Sequence, residues 1–422
     1  MSYEEHLEDI LQRCNRCGEC QSVCPVYKEL GVESGVARGK ISLVKALREG
    51  EMDWTPGIVK KMDICLQCKR CSGNCPGGSE GDTIIRWGRT EAQKRMGVPL
   101  IYRLIARMLL PRRWIFNSAL GMGKFGQKVL FRKGPNGQGM LPRIPFGIDM
   151  RRVISPLASK TLKQRLPELN TVDKPVKRAV YFTGCMANFI YPQVGESLVR
   201  VLNKNNVEVI IPSLQHCCGM PVYASGDMET ARIMAKENLK VLGSIETDAI
   251  VVSCGSCGLA LKEHYPELFA DDPEMEKIAH QVAGKVKDIS EVIIGLEYAD
   301  EMKRVDKKVT YHDPCHLKIG LKVTSEPRQI LKSIPGVSFL ETGHSLCCGS
   351  GGSFSLKHYD LSTKITNRCV KELAATGAEV VATGCLACRM QLEDTIAQNG
   401  ITLKVRHTVE LLDQSYQDVK HE

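Results

Sequence analysis

Residues 176–422 alternate short apolar runs with longer segments in which apolar positions recur every three or four residues. A short apolar run is typical of a buried strand, whereas spacing by three or four is typical of an amphipathic helix. Strands that alternate with helices predict α/β structure with mostly parallel sheets. The strand-like runs are residues 179–185, 249–257, 309–315 and 380–388, and helical segments include residues 194–206 and 360–377.

Five cysteines of this region recur with almost constant spacing. Three positions of the second set lie 130 residues beyond those of the first, and two lie 131 beyond. This repeat predicts a duplicated module, first over residues 176–300 and again over residues 301–422. Each strand-like run ends at cysteine, and parallel sheets bind ligands beyond the carboxyl ends of their strands. The two sets are Cys185, Cys217, Cys218, Cys254 and Cys257, and Cys315, Cys347, Cys348, Cys385 and Cys388.

A vicinal cysteine pair followed by glycine occurs once in each set, at residues 217–219 and 347–349. Adjacent side chains point to one place only in a tight turn, and glycine permits a positive φ there. A cubane cluster or a zinc ion needs four thiolates. Five thiols around a sharp turn therefore suit a metal cluster with a bridging or extra ligand. The alternative is a lapsed or zinc-binding structural module.

The amino-terminal residues contain two cysteine runs of another kind, residues 14–25 and 65–76, each spaced C-x₂-C-x₂-C-x₃-C-P. In dicluster ferredoxins with this spacing, three cysteines of a run hold one [4Fe–4S] cluster and the fourth ligates the other. Zinc, the alternative, usually takes cysteines as two separated pairs. Residues 39–51 and 56–64, between the runs, have helical periodicity. The expected ligand sets are Cys14, Cys17, Cys20 and Cys75 for one cubane cluster, and Cys65, Cys68, Cys71 and Cys24 for the other.

Composition narrows the chemistry of these thiols. The chain has 422 residues, of which 43% are hydrophobic, 25% are charged and 19 are cysteine. These proportions describe a soluble globular protein. The first residues lack the basic and apolar regions of a signal peptide, and no apolar stretch approaches 18 residues. We therefore expect a cytoplasmic protein whose cysteines serve metal or redox chemistry rather than disulfides.

The net charge of +9 comes from one segment, because residues 97–152 contain eleven Lys or Arg and one acid. Residues 97–175 are expected to form a basic connector, within which residues 132–147 predict an irregular linker. An amphipathic helix in the connector would lie on an anionic membrane surface, dock a membrane cytochrome or flavoprotein, or pack on its own domain. Its apolar face consists of Leu100, Ile101, Leu104, Ile105, Met108 and Leu109, with Arg103 and Arg107 on the other side.

Two ferredoxin runs followed by two sets of Cys, Cys-Cys-Gly and Cys-x₂-Cys resemble the ferredoxin-bearing iron–sulfur subunit of heterodisulfide reductase and the iron–sulfur subunits of glycolate oxidase and anaerobic glycerol-3-phosphate dehydrogenase. The resemblance implies an α-helical dicluster ferredoxin domain over residues 1–96, followed by two duplicated α/β cysteine-rich (CCG) modules. In heterodisulfide reductase each complete module holds a non-cubane [4Fe–4S] cluster. Because this chain keeps all ten module cysteines, the resemblance implies two such clusters here. Lactate-utilisation subunits share the modules but lack the ferredoxin part.

The function that the resemblance implies is electron transfer within a multi-subunit oxidoreductase. An FAD-linked dehydrogenase partner would oxidise glycolate, lactate or glycerol-3-phosphate, and electrons would pass to a quinone or a membrane b-type cytochrome. The alternative is a catalytic role in which this chain reduces a disulfide at the non-cubane clusters. The sequence has no glycine-rich nucleotide loop, so a flavin is expected on another chain, and no nucleic-acid partner is expected. Peripheral contact with the inner face of the cytoplasmic membrane stays open.

Four histidines lie within three residues of module cysteines: His216, His312, His316 and His344. They are candidates for hydrogen-bond donors to sulfur, which raise a cluster's reduction potential, or for proton relays. The alternative for each is an ordinary buried or solvated histidine. Cys369 falls outside every set, and its helical segment predicts a small core residue.

Overall fold

The computed structural model describes residues 3–145, 147–296, 298 and 301–417. Its elements form an amino-terminal helical part, a connector and two α/β modules. One continuous apolar core runs through both modules, and a smaller core lies among the amino-terminal helices. Within the described residues, no helix has both the length and the apolar content of a membrane span.

Helices build the described residues 3–96 because apolar side chains recur there at helical spacing. Leu7, Val44 and Ile84, from three different helices, are completely buried in one core. The helices predicted between the two cysteine runs are confirmed. Helices α1 to α7 are Tyr3–Gln12, Glu19–Val23, Pro25–Leu30, Ala37–Arg48, Pro56–Asp63, Arg70–Gly73 and Gly81–Met96.

The connector contains a hairpin where the sequence predicted irregular structure. Residues 131–133 pair with residues 140–142 in antiparallel fashion, so the prediction is wrong for these strands. The turn forms because Gly137 (φ +73°) and Gly139 (φ +59°) adopt left-handed conformations. Phe146, in the same predicted linker, lies outside the described residues. The connector elements are α8 (Leu100–Tyr102), α9 (Arg113–Leu130), β1 (Phe131–Lys133), β2 (Met140–Pro142) and α10 (Leu162–Arg165).

The predicted amphipathic helix begins with α8 and continues through a wide helical turn over Arg103–Leu109. Its apolar side chains face outward, since Leu100 is 68% exposed and Met108 is 49% exposed. Arg107 faces the first module instead and donates to the Asp227 carboxylate at 2.8 Å. The exposure of these side chains argues against the alternative in which the apolar face of the helix packs on its own domain. The side chain of Ile101 lies outside the described part of the chain.

The first module is a sheet whose central strands are apolar on both faces, as parallel strands covered by helices are. Residues 180–182 and 250–252 are almost completely buried. Strands run in the order β3-β5-β4-β6-β7, with β3 antiparallel and the others parallel. The strands are β3 (Leu169–Asn170), β4 (Lys177–Phe182), β5 (Val207–Ile210), β6 (Ala249–Val252) and β7 (Val286–Asp288), and helices α11 to α18 are Gly184–Phe189, Pro192–Lys204, Met220–Ala224, Met228–Gly243, Gly255–Leu259, Tyr265–Leu268, Pro273–Lys285 and Ile289–Ile294.

The second module repeats this topology. Its strands run β9-β8-β10-β11 and are all parallel, which matches the order β5-β4-β6-β7. In both modules the cysteine positions therefore follow the carboxyl ends of three neighbouring parallel strands. The strands are β8 (Lys307–His312), β9 (Val337–Leu340), β10 (Val380–Thr383) and β11 (Lys404–His407), and helices α19 to α23 are Glu326–Ser333, Phe354–Lys357, Tyr359–Ala375, Leu386–Gln398 and Thr408–Tyr416.

Candidate metal centres

The two amino-terminal cysteine loops share one unusual backbone conformation. Arg16 (φ +58°) in the first loop and Gln67 (φ +52°) in the second occupy the same position, and both are left-handed. The next left-handed positions, Gly18 (φ +94°) and Lys69 (φ +60°), also correspond. A side chain in this region costs about 1–2 kcal/mol, and such strain is concentrated at functional sites. Each loop therefore bends its cysteines around one point.

Two cavities lie inside these loops. The first is lined by the first three cysteines of the amino-terminal run together with Cys75. The second is lined by the first three cysteines of the other run together with Cys24. Cys71 lines both cavities. The fourth cysteine of each run thus reaches the cavity of the opposite run, and soft thiolate donors around a small cavity fit an iron–sulfur cluster.

In the first module, side chains of neighbouring helices hold the vicinal pair in its turn. Asn238 accepts from the His216 backbone N–H at 2.7 Å and donates to the Cys217 carbonyl at 3.0 Å. The Tyr265 hydroxyl donates to the Cys218 carbonyl at 3.2 Å. Asn238 is completely buried, and its side-chain amide holds the backbone of the turn through these two hydrogen bonds.

In the second module, α21 holds the corresponding turn. The Thr366 hydroxyl donates to the Cys348 carbonyl and the Ser362 hydroxyl to the Gly349 carbonyl, both at 2.8 Å. Gly219 and Gly349 each have φ of +76°, so the positive φ predicted after each vicinal pair is confirmed. A Cβ on Gly349 would lie 2.5 Å from the Thr366 hydroxyl, which gives a second reason for glycine there.

Burial and contact with other sulfur atoms disfavour the thiolate form of most of these cysteines unless a positive charge compensates. Burial raises the pKa of Cys315 well above its ordinary value, and that of Cys68 to about 12. In the first module, hydrogen bonds from Cys185 and Cys218 hold the pKa of Cys217 well below its ordinary value, while the pKa values of the two donors rise. Bound metal removes such protons, because metal ligands are thiolates.

The two modules bring their Cys-x₂-Cys pairs against each other. The sulfur atoms of Cys254 and Cys385 are 3.6 Å apart and both are buried. Ser256 contacts the Cys385 sulfur at 3.7 Å and the His316 Nδ1 at 3.0 Å. The His316 Nε2 in turn lies 3.0 Å from the Gln67 carbonyl of the second ferredoxin loop. His316 therefore connects all three cysteine-bearing parts of the chain.

Arg70 introduces a positive charge between the second ferredoxin loop and the second module. Although burial opposes its charge, the thiolates of Cys347 and Cys68 raise the pKa of Arg70. Its Nε is buried and has no hydrogen-bond partner in the described part of the chain. Sequence analysis missed Arg70, and the signal was a basic pair, Lys69 and Arg70, between two cysteines of one run.

The other three candidate histidines differ in their surroundings. His312 lies with Cys348 and Cys388 in a group whose ligand atoms are within 4.8 Å of one another. The His216 Nδ1 accepts from the Cys217 backbone N–H at 2.8 Å, so it shapes the turn. His344 is exposed and pairs with Glu372 at 3.3 Å, which is the ordinary alternative.

Cys369 is buried in α21 among core residues, as predicted. Its sulfur lies 3.5 Å from the His312 Nδ1. Cys369 is therefore a neighbour of the second module's thiols as well as a core residue.

Comparisons with known proteins match this architecture. A 4Fe-4S dicluster domain matches residues 10–79, and a cysteine-rich domain matches twice, over residues 179–262 and 309–393. The "Probable glycolate oxidase iron-sulfur subunit" of Bacillus subtilis (strain 168) is 30% identical over 417 residues, which cover 96% of this chain and 94% of that protein.

Two further relatives also align along nearly the whole chain. The "Glycolate oxidase iron-sulfur subunit" of Escherichia coli (strain K12) is 27% identical and covers 97% of this chain and 95% of its own length. One subunit of the fumarate reductase (CoM/CoB) of Methanothermobacter marburgensis is 27% identical and covers 97% of this chain and 73% of its own length.

Gly349→Ala should destabilise the second module. The substitution combines left-handed strain with the close approach to Thr366, so we expect a loss of about 2–4 kcal/mol of unfolding free energy. Thermal unfolding and iron content measure it. Gly377 has the same kind of φ (+73°) but nothing within 4 Å of the added Cβ. Gly377→Ala should cost only about 1–2 kcal/mol and keep its iron; equal losses in the two variants would contradict the account.

Arg70→Gln should lower the reduction potential of a centre bound by the neighbouring thiolates. Losing a buried positive charge disfavours added electrons, and a shift of about 60 mV corresponds to about 1.4 kcal/mol for one electron. Anaerobic potentiometric titration followed by electron paramagnetic resonance measures the shift. Arg13→Gln, at an exposed arginine paired with Asp9, is the matched control. Equal potentials in the wild type and Arg70→Gln would refute the electrostatic role.

Proposed function

Because this chain belongs to the family of glycolate oxidase-type iron–sulfur subunits, in which a 4Fe-4S dicluster domain precedes two cysteine-rich domains, we propose that it transfers electrons between an FAD-linked dehydrogenase and a quinone or membrane carrier. The family resemblance inferred from the motifs is confirmed. The partner, its substrate among glycolate, lactate and glycerol-3-phosphate, and the final carrier are our proposal.

The thiols divide into four proposed ligand sets. Iron–sulfur clusters held by them would take up and release electrons singly, as two cubane [4Fe–4S] clusters in the ferredoxin part and two non-cubane [4Fe–4S] clusters in the modules. The sets are Cys14, Cys17, Cys20 and Cys75; Cys24, Cys65, Cys68 and Cys71; Cys185, Cys217, Cys218, Cys254 and Cys257; and Cys315, Cys347, Cys348, Cys385 and Cys388.

The observation on which the proposal depends is that these four sets lie in an unbroken series. Cys17, in the first set, is exposed at the surface. Cys71 lines the cavities of both ferredoxin sets. Cys68 packs with Cys347 of the second module in one apolar cluster. The contact between Cys254 and Cys385 then joins the second module to the first.

Two exposed surfaces support two different partners. The loop of exposed Cys17 offers a flavoprotein a surface next to the first thiol set. The connector presents Leu100, Leu104 and Met108 outward beside basic side chains, a combination that suits an anionic membrane surface. We therefore propose peripheral membrane contact through the connector, on the cytoplasmic side.

A disulfide reductase activity is the second candidate, and two observations favour it. All ten module cysteines are present, and the two modules bring Cys254 and Cys385 into contact. In that case the modules would be the catalytic centre and the ferredoxin part their electron supply.

We would test the function on the anaerobically purified complex of this chain with its FAD-linked dehydrogenase. Glycolate, lactate and glycerol-3-phosphate are offered in turn, and one of them should bleach the visible iron–sulfur absorbance. A complex in which the substrate reduces the flavin but leaves that absorbance unchanged would contradict electron transfer. Reoxidation of the reduced chain by a disulfide, and not by a quinone, would favour the second candidate.

Two cysteine variants sharpen this test. Cys17→Ser removes a proposed ligand of the surface set, so we expect the substrate-driven bleaching to fall at least tenfold. Cys369→Ala removes the cysteine outside every set, so it should bleach much more strongly than Cys17→Ser. The same loss in both variants would show that the assay reports general damage to the fold.

A further inference from the structure

A cavity of about 730 Å³, open to solvent on one side, lies where the ferredoxin part, the connector and both modules meet. It is distinct from the two thiol-lined cavities, and neither the sequence motifs nor the proposed ligand sets account for it. A cavity of this size lies within the few hundred to one thousand Å³ of a usual small-molecule site. It therefore has room for a ring system together with part of an apolar chain.

Segments next to three thiol sets form the walls of this cavity. Asp63 precedes Cys65 by two residues, while Val222 and Ser353 follow the two Cys-Cys-Gly turns within five residues. Arg89, also in the wall, donates to the Cys65 carbonyl at 2.7 Å and to the Ala224 carbonyl. The cavity is thus held in a fixed position beside the proposed redox centres of both the ferredoxin part and the modules.

Most of the lining is apolar. Met62 and Ala92 come from the ferredoxin helices, Ala106 and Leu110 from the connector, and Val222 from the first module. The charged donors on these walls are already paired, Arg89 with backbone carbonyls and Lys357 with the Asp63 carboxylate, so they do not favour a phosphate or carboxylate ligand. The lining instead suits a mostly apolar molecule that makes a few polar contacts.

Polar side chains interrupt the lining at two places. Lys357 donates to the Asp63 carboxylate at 2.8 Å, and the His358 Nε2 lies 3.3 Å from the same carboxylate. On another wall, the Tyr102 hydroxyl lies 2.5 Å from the Ser225 hydroxyl, which donates to the Val222 carbonyl at 2.7 Å. Lys357 has further N–H bonds to donate, and the Tyr102 hydroxyl can rotate its proton toward an oxygen atom of a ligand whose body contacts the apolar walls.

The connector links the cavity to the outward apolar surface. Ile105 lines the cavity and is 47% exposed, and Leu104 and Met108 on the same segment are also exposed. Trp114, at the start of the next helix, is exposed too. Basic side chains such as Arg103 accompany this apolar surface, which suits the surface of an anionic bilayer. The cavity and the outward apolar surface therefore share one connector segment.

We infer that this cavity binds the ring of an isoprenoid quinone, with hydrogen bonds to its two carbonyl oxygens from the Lys357–His358 and Tyr102–Ser225 positions and with its chain along the connector. The inference rests on the proposed function for its source of electrons. One quinone takes up two electrons, delivered singly from the iron–sulfur centres of this chain, and two protons from solvent at the open side. Each carbonyl oxygen gains one O–H bond, and the product is the quinol.

The test is equilibrium dialysis of decylubiquinone against the anaerobic, iron-loaded full-length protein. Wild type should bind one equivalent saturably. Leu356 lines the cavity and is 55% exposed, so Leu356→Trp fills the space without disturbing the core and should raise Kd at least about tenfold. His358→Leu removes a hydrogen-bonding group and should raise Kd by about three- to tenfold.

Leu169→Trp is the matched control, because Leu169 is 48% exposed and lies on the edge strand β3, outside the cavity. Its Kd should stay within twofold of the wild type. Unsaturable binding, or equal binding by Leu356→Trp and the wild type, would overturn the inference. So would saturable binding of oxidised glutathione without binding of the quinone.

The same samples separate this inference from the proposed function. Iron content and bleaching by dithionite report whether redox centres are present, independently of quinone binding. Iron-loaded protein that bleaches but binds no quinone refutes the cavity alone. Protein that binds the quinone as expected but holds no reducible iron refutes the electron-transfer function while the binding site stands.

Discussion

Sulfur atoms crowded in a protein interior impose the constraint on which the rest of this structure depends. Buried thiols lose the solvation that a thiolate needs, and neighbouring sulfurs repel one another's charge. The chain gathers them through left-handed residues such as Gln67 and Lys69 and through the turns at Gly219 and Gly349. Iron–sulfur centres bound by these cysteines would supply the compensating charge, and Arg70 adds a fixed positive charge at the junction. Elements far from the sulfurs serve mainly to keep these turns in place.

Duplication explains how two such sites come to face each other. Both modules have the same strand order, so both place cysteines beyond the carboxyl ends of three neighbouring strands. The Gly255 N–H donates to the Gly384 carbonyl at 3.1 Å, which brings the two Cys-x₂-Cys segments together. The ferredoxin part contacts this junction through the Gln67 carbonyl, which lies 3.0 Å from the His316 ring of the second module. A large cavity is left between the three parts, beside the sites that they build.

Motif spacing predicted the repeat and the α/β modules because those features follow from local sequence and strand topology. The assignment of thiols to ligand sets stays a prediction. Spacing cannot show which surfaces meet, so the contact between Cys254 and Cys385 and the place of Arg70 became visible only in the fold. The hairpin at residues 131–142 was missed because glycines that usually indicate irregular structure also close tight turns. Proximity in sequence was equally misleading for His344, which lies near Cys347 in the chain but is exposed to solvent.

The central claim is that all four thiol sets hold iron–sulfur centres. The most direct measurement is the content of iron and acid-labile sulfide in the chain purified without oxygen. Four [4Fe–4S] clusters predict about sixteen iron atoms and about sixteen sulfides per chain. About eight of each would mean that only the ferredoxin loops are loaded and that the cysteine-rich modules have another role, which would contradict the account.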